Sequence, residues 1–290
     1  MSYLSSLIIF SCVNIIAVSG LVLLTGFSGI FSIGHAGFMA IGGYTAVVLY
    51  MNFGIPFLIT IFLGGIASVI ISIIIGYPAL RNRMEGDSFA IAMLGFVAVV
   101  RISISNIKPV LNGAMGISGI ERLATVPIVV VFTIFSVFLM RNFLKSNYGV
   151  NCTAVQQQEI AAEMVGVDIL KTKLTSLMLS AFYAGVAGGL FAFFTTYISP
   201  ETFAEAKSDD LLAAVVLGGI NSLTGPLVAA VILVILPEML RFLAIWRLVF
   251  YGLSFVIIMR FKPEGLYGYK ELSFNWIKKL LFKGGENNER

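Results

Sequence analysis

The stretch "IPFLITIFLGGIASVIISIIIGYP", residues 55–78, contains no Lys, Arg, Asp or Glu. Its 24 residues exceed the roughly 20 apolar residues that a helix needs to cross a bilayer. The same character extends back to the start of the chain, because the first formal charge is Arg81. Eighty residues without a charge cannot form the surface of a soluble domain. The whole chain of 290 residues is 58% hydrophobic and 12% charged, with a mean hydropathy of +0.97. Soluble domains carry about 25% charged residues. A membrane barrel would read as alternating segments of about ten residues, and none occurs. The composition therefore predicts an all-α polytopic membrane protein.

Apolar segments at 3–24, 34–52, 55–78, 88–108, 124–142, 174–198, 210–220, 225–241 and 246–261 predict about nine transmembrane crossings. The first lacks a basic leader and a small-residue cleavage site, so it reads as a span and not as a removed signal. Segment 210–220 is too short to cross as a straight helix and runs into "GGINSLTGP". It is expected to be a broken or re-entrant element, whose backbone must be buried in protein or line a cavity.

Basic residues set the expected orientation. With the 143–173 loop in the cytoplasm, thirteen Lys and Arg fall inside and five outside, with Arg101 within a span. That asymmetry follows the positive-inside rule. It places the N-terminus outside and the C-terminus inside. Residues 1–268 then form the transmembrane domain. Residues 269–290, with "NWIKKLLFKGG", form a basic amphipathic tail that suits an interfacial anchor on anionic lipid. No nucleic-acid partner is implied. Cys12 and Cys152 lie far apart in character, one in an apolar run and one in the polar loop, and predict no disulfide.

Four stretches stand out. "GFSGIFSIGHAGFMAIGGYTA", Gly26–Ala46, holds six glycines, two serines and the single histidine. Ser28, Ser32, His35 and Gly37 are its pathway candidates. A serine nucleophile would need His35 as its base, but seven residues separate Ser28 and His35, about 10 Å along a helix. No catalytic residue is assigned. One histidine and two remote cysteines make no metal site either. "AAVVLGGINSLTGPLVAA", Ala213–Ala230, also interrupts an apolar segment. Gly218 and Gly219 are candidates there, for a pathway or for tight helix packing. Arg101 is a charge inside a span, about 20 Å up its helix from Ser88. It could meet a substrate carboxylate or snorkel to the outer interface. Snorkelling is the expectation, and with it tolerance of Arg101→Gln.

The fourth stretch is polar: "QQQEIAAEMVGVDILKTKL", Gln156–Leu174. Gln157, Ile160, Ala161 and Met164 recur at helical spacing, and Gly166 is a helix stop. A short helix with small residues turned outward suits insertion into a groove on another protein. A solvated connector has the same composition.

These motifs, with "RMEGDSFAIAMLGF" and "AGVAGGLFAFFTTYISPETF", occur in the order found in permease subunits of branched-chain amino acid ABC importers. The resemblance spans roughly Gly26 to Gly268. It is closer to the LivM-type than to the LivH-type subunit. It implies that the loop at about 150–173 holds a coupling helix with a Glu-Ala-Ala-x3-Gly pattern. Ala161, Ala162 and Gly166 match that pattern. Ile160 replaces its Glu, with Glu159 one residue earlier and Glu163 following. The resemblance further implies a LivH-type second permease, two ATPase subunits and an extracytoplasmic binding protein in a bacterial or archaeal plasma membrane. The chain has no Gly-x4-Gly-Lys-Ser/Thr, so ATP would be bound by partners and no cofactor by this chain. Related permeases carry urea or short amides, which is the alternative substrate class. An ion-coupled transporter would need buried acids in its spans, and these hold only Asp210 and Glu238, each near a span end.

Overall fold

The structure, a computed structural model, describes residues 3–239 apart from 83 and 85, and beyond these only Gly252 and Arg260. The expected span at 246–261, the tail at 269–290 and the last two residues of the 225–241 span lie outside the described residues.

Among the described residues, six helices are long and apolar enough to cross a membrane. The first is α1, Tyr3–Leu21, which continues as a π-helical turn over Val22–Phe27. The others are α2 (His35–Phe53), α3 (Phe57–Arg81), α4 (Asp87–Asn106), α6 (Val126–Lys145) and α9 (Ile169–Thr195). A one-turn helix, α5 (Lys108–Leu111), follows α4. The polar stretch forms α7 (Asn147–Gln157) and α8 (Glu159–Met164). Two shorter helices close the described part: α10 (Glu205–Gly218) and α11 (Thr224–Met239). Each of the first six expected spans thus coincides with a long helix.

Local chemistry sets the boundaries. α2 stops where Gly54 turns left-handed (φ 62°) and donates its N–H to the Tyr50 carbonyl. Pro56 then opens α3. α9 starts at Asp168, whose carboxylate accepts from the Lys171 N–H at 3.0 Å. The Lys171 backbone and ammonium hold the Asp168 carboxyl below the usual carboxylate range.

α9 is the central helix. Of its most apolar window 78% is buried, against 17% for α6 at the rim. α2 runs parallel to it, from His35 beside Ser180 to Tyr50 stacked edge-on against Phe193. α1 runs antiparallel, from Phe10 on Phe194 to Gly20 on Ser180. α3 is antiparallel too, with Gly76 on Leu177. Small residues permit this closeness. A Cβ on Gly42 would run into the Gly185 backbone, and one on Gly64 into the Gly42 carbonyl. In a bilayer such contacts supply the packing that a hydrophobic drive supplies in water.

One feature was not expected from composition. Residues Ile117–Ser118 (β1) pair antiparallel with Tyr197–Ile198 (β2), joining the loop before α6 to the end of α9. The pair is only two residues long on each side, below any sequence periodicity.

Candidate functional site

The polar stretch is not one helix. Gln158 is extended (φ −161°, ψ 110°) and separates α7 from α8. α8 ends in a left-handed glycine, Gly166 at φ 88°. The Gly166 N–H reaches the Glu163 carbonyl and the Val167 N–H reaches that of Ala162, each at 3.0 Å. This is the glycine stop read from the sequence, in its Schellman form. Lys171 and Lys173 belong already to α9.

α8 has two faces. Ile160, Met164 and Val165 are 70%, 84% and 78% exposed, and Gln157, Ala161 and Glu163 are exposed as well. The stripe at helical spacing is therefore the outward one. Of the small residues expected to turn outward, Ala161 and Gly166 are exposed, but Ala162 is 3% exposed and packs inward. The outward face also carries the apolar side chains of Ile160, Met164 and Val165. The reason is the register of so short a helix, in which one of two adjacent alanines must face the bundle.

Glu159, whose role the pattern left open, forms an ion pair with Lys173 of α9 at 2.5 Å. It ties the first turn of α8 to the central helix. A cleft of about 1030 Å³ opens beside it, lined among others by Ser28, Gln156, Glu159, Glu163, Gly166 and Lys173. Of the pathway candidates only Ser28 reaches this cleft.

The glycine-interrupted segments meet each other and meet α7. Ser28 donates to the Leu23 carbonyl at 3.0 Å and to Ser176 Oγ at 2.6 Å. Cys152 of α7 contacts the same Ser176 hydroxyl at 3.2 Å. Gln156 of α7 packs on Gly29, and its Nε2 donates to Asn221 Oδ1 at 3.2 Å. Ile220 presents its carbonyl to Gly26. Hence α7 touches both breaks, one between α1 and α2, the other between α10 and α11.

His35 Nε2 lies 2.6 Å from Ser180 Oγ. Ser28 and His35 therefore engage two different serines, one turn apart on α9, and not each other. Ser32 Oγ accepts from the Gly34 N–H at 3.2 Å. Gly37 accommodates the Phe96 ring, and Gly218 lies on Gly225 and Pro226. Gly219 makes the turn between α10 and α11 at φ 108°. Ser32, His35, Gly37, Gly218 and Gly219 are all buried within this chain. Cys152, Gln156, Ser176, Ser180 and Asn221 were missed in the sequence. Ser176 and Ser180, four apart in an apolar span, were the available signal.

Arg101 has carboxylate partners within the chain. Its guanidinium lies 3.3 Å from Glu201, in the segment that leads into α10, and 3.6 Å from Glu205, the first residue of α10. Beside the expected snorkelling stands an ion-paired cluster, because the chain folds two glutamates back to the level of the arginine. Hydropathy along α4 cannot register partners 100 residues away.

The family described as "Branched-chain amino acid transport system / permease component" matches residues 3–259. The LivM high-affinity branched-chain amino acid transport permease proteins of Salmonella typhimurium and Escherichia coli are each 31% identical over 281 residues, covering 85% of this chain. The chain spans 66% of the length of these two relatives. A probable branched-chain amino acid transport permease protein, LivH of Methanocaldococcus jannaschii, is 23% identical over 304 residues, 96% of this chain and 95% of its own. No solved structure matches. A match from residue 3 to residue 259 takes in every helix described above, and the chain belongs to the family of permease components of branched-chain amino acid transport systems.

Proposed function

We propose that this chain is one permease subunit of an ATP-driven importer of branched-chain amino acids. It contributes half of the pore in a bacterial or archaeal plasma membrane. Its partners are a LivH-type permease, two ATPase subunits that bind the ATP, and an extracytoplasmic binding protein. The relatives, named as branched-chain amino acid permeases, favour amino acids over urea or short amides. The observation that carries the reading is the outward apolar face of α8, Ile160, Met164 and Val165, on a helix pinned to α9 by Glu159 and Lys173. A groove on an ATPase can take such a face. Any displacement of α7 and α8 then reaches both glycine breaks through Gln156 and the Cys152–Ser176–Ser28 contacts.

The topology goes with nine crossings, N-terminus outside. α10 follows α1 in the same direction, from Lys207 beside Asn14 to Ile220 against Gly26. With the segment 196–204 leading into it, α10 supports a short crossing at 210–220. α11 returns, and the ninth crossing is the one expected from the sequence at 246–261, outside the described residues. A cysteine placed at Lys145, with Cys12 and Cys152 replaced, should resist an impermeant thiol reagent in intact cells. Reaction from outside would invert the topology.

Reconstitution tests the function. In proteoliposomes, ATP hydrolysis should be stimulated only when both permeases, the ATPases, the binding protein and a branched-chain amino acid are all present. Uptake driven by an ion gradient without the ATPases would overturn the reading.

A further inference from the structure

α10 does not begin at the outer edge of the bundle. Ser208, in its first turns, accepts from the Ala36 N–H at 2.9 Å. Ala36 follows His35, which contacts Ser180. Ser180 lies eleven residues from Ile169 and fifteen from Thr195 along α9. At 1.5 Å per residue these are about 16 and 22 Å, close to the middle of the helix. A second contact agrees. Lys207 Nζ donates to Asn14 Oδ1 at 2.8 Å, and Asn14 is eleven residues into a 25-residue span. The segment 196–204 thus dips into the bundle before α10 starts.

This puts several charged groups at a depth where lipid does not accept them. Glu205 and Asp209 lie one turn apart on α10, followed on the same face by Ala213 and Val216. None of the four is buried, and Asp209 is exposed. Arg101 borders this face through Glu205 and Glu201. The outer faces of α3 and α6 differ entirely. They expose Phe62, Ile66, Ile70, Ile134 and Phe138, which is what a lipid-facing surface requires.

Resting on the importer reading above, we propose that the α10 stripe Glu205–Asp209–Ala213–Val216 is a water-exposed wall of the translocation path. The Arg101 cluster closes its outer end by holding α4 against the segment that leads into α10. A zwitterionic solute passing there meets both signs of charge at the rim and a wall of small and apolar side chains below. Carboxylates at this depth are accommodated because the path, and not lipid, hydrates them.

Thiol accessibility in the complete transporter tests this. In a background without Cys12 and Cys152, assembled with its partner subunits in proteoliposomes, single cysteines replace Asp209, Ala213 or Val216. Ile66→Cys and Ile134→Cys serve as lipid-facing references. A charged methanethiosulfonate reagent should modify the α10 positions at least about tenfold faster than the references, and substrate with binding protein and ATP should change that rate. Ala213→Cys and Val216→Cys keep the test readable if Asp209→Cys does not assemble. Rates at Ala213→Cys and Val216→Cys as slow as at Ile134→Cys would overturn the proposal, since the stripe would then be dry. ATP-driven uptake by the cysteine-free parent reports separately on the importer reading.

Discussion

Replacing Ile160 and Met164 together by glutamate is expected to abolish uptake while the permease still inserts and folds. Both side chains point away from the bundle. Surface substitutions of that kind change stability by less than about 0.5 kcal/mol. In the complex the same positions would enter the groove of an ATPase. An uncompensated carboxylate buried at an interface costs about 3–5 kcal/mol, which lowers binding by roughly a hundredfold or more. Uptake should fall to background, and the ATPases should no longer co-purify. The measurement is a pull-down beside an uptake assay on the same membranes. Full ATPase binding with full uptake would make α8 a solvated connector. Ala162→Trp cannot serve for this test. Ala162 faces inward, so a bulky side chain there would disturb the seating of α8 on the bundle before it disturbed docking.

Gly42→Leu should prevent assembly of the bundle itself. Gly42 lies where α2, α3 and α9 meet, against the Gly185 backbone on one side and beneath Gly64 on the other. Overpacking a core costs about 1–3 kcal/mol when side chains can adjust. Here the obstacle is backbone, which cannot rotate away, so the upper end or more applies. A loss of about 3 kcal/mol corresponds to a drop of about 5 °C in Tm for a chain of 290 residues. Gly95→Leu is the control. It gains the same helix propensity, but its added Cβ has nothing within 4 Å. Thermal stability of the two variants in detergent, followed by size-exclusion chromatography, separates packing from propensity. Equal Tm values would show that the small residues are incidental.

Hydropathy is a sum over neighbours in sequence, and it located the six long helices because transfer into lipid is a property of each segment alone. The outward stripe Gln157–Ile160–Ala161–Met164 and the stop at Gly166 were legible for the same reason. Helical spacing and a left-handed turn are local. The nearby break at Gln158 was not legible, because glutamine is a good helix former and nothing in its neighbours demands an extended residue. Tertiary structure decided the rest. Which alanine of the pair 161–162 turns inward depends on where α9 lies beneath α8. The partners of Arg101, the pairing of Ser28 with Ser176 and of His35 with Ser180, and the depth at which α10 begins all join residues about 100 or more positions apart. Their energies come from contacts between helix faces. A sequence states how apolar each face is, but only the folded bundle determines which face meets which.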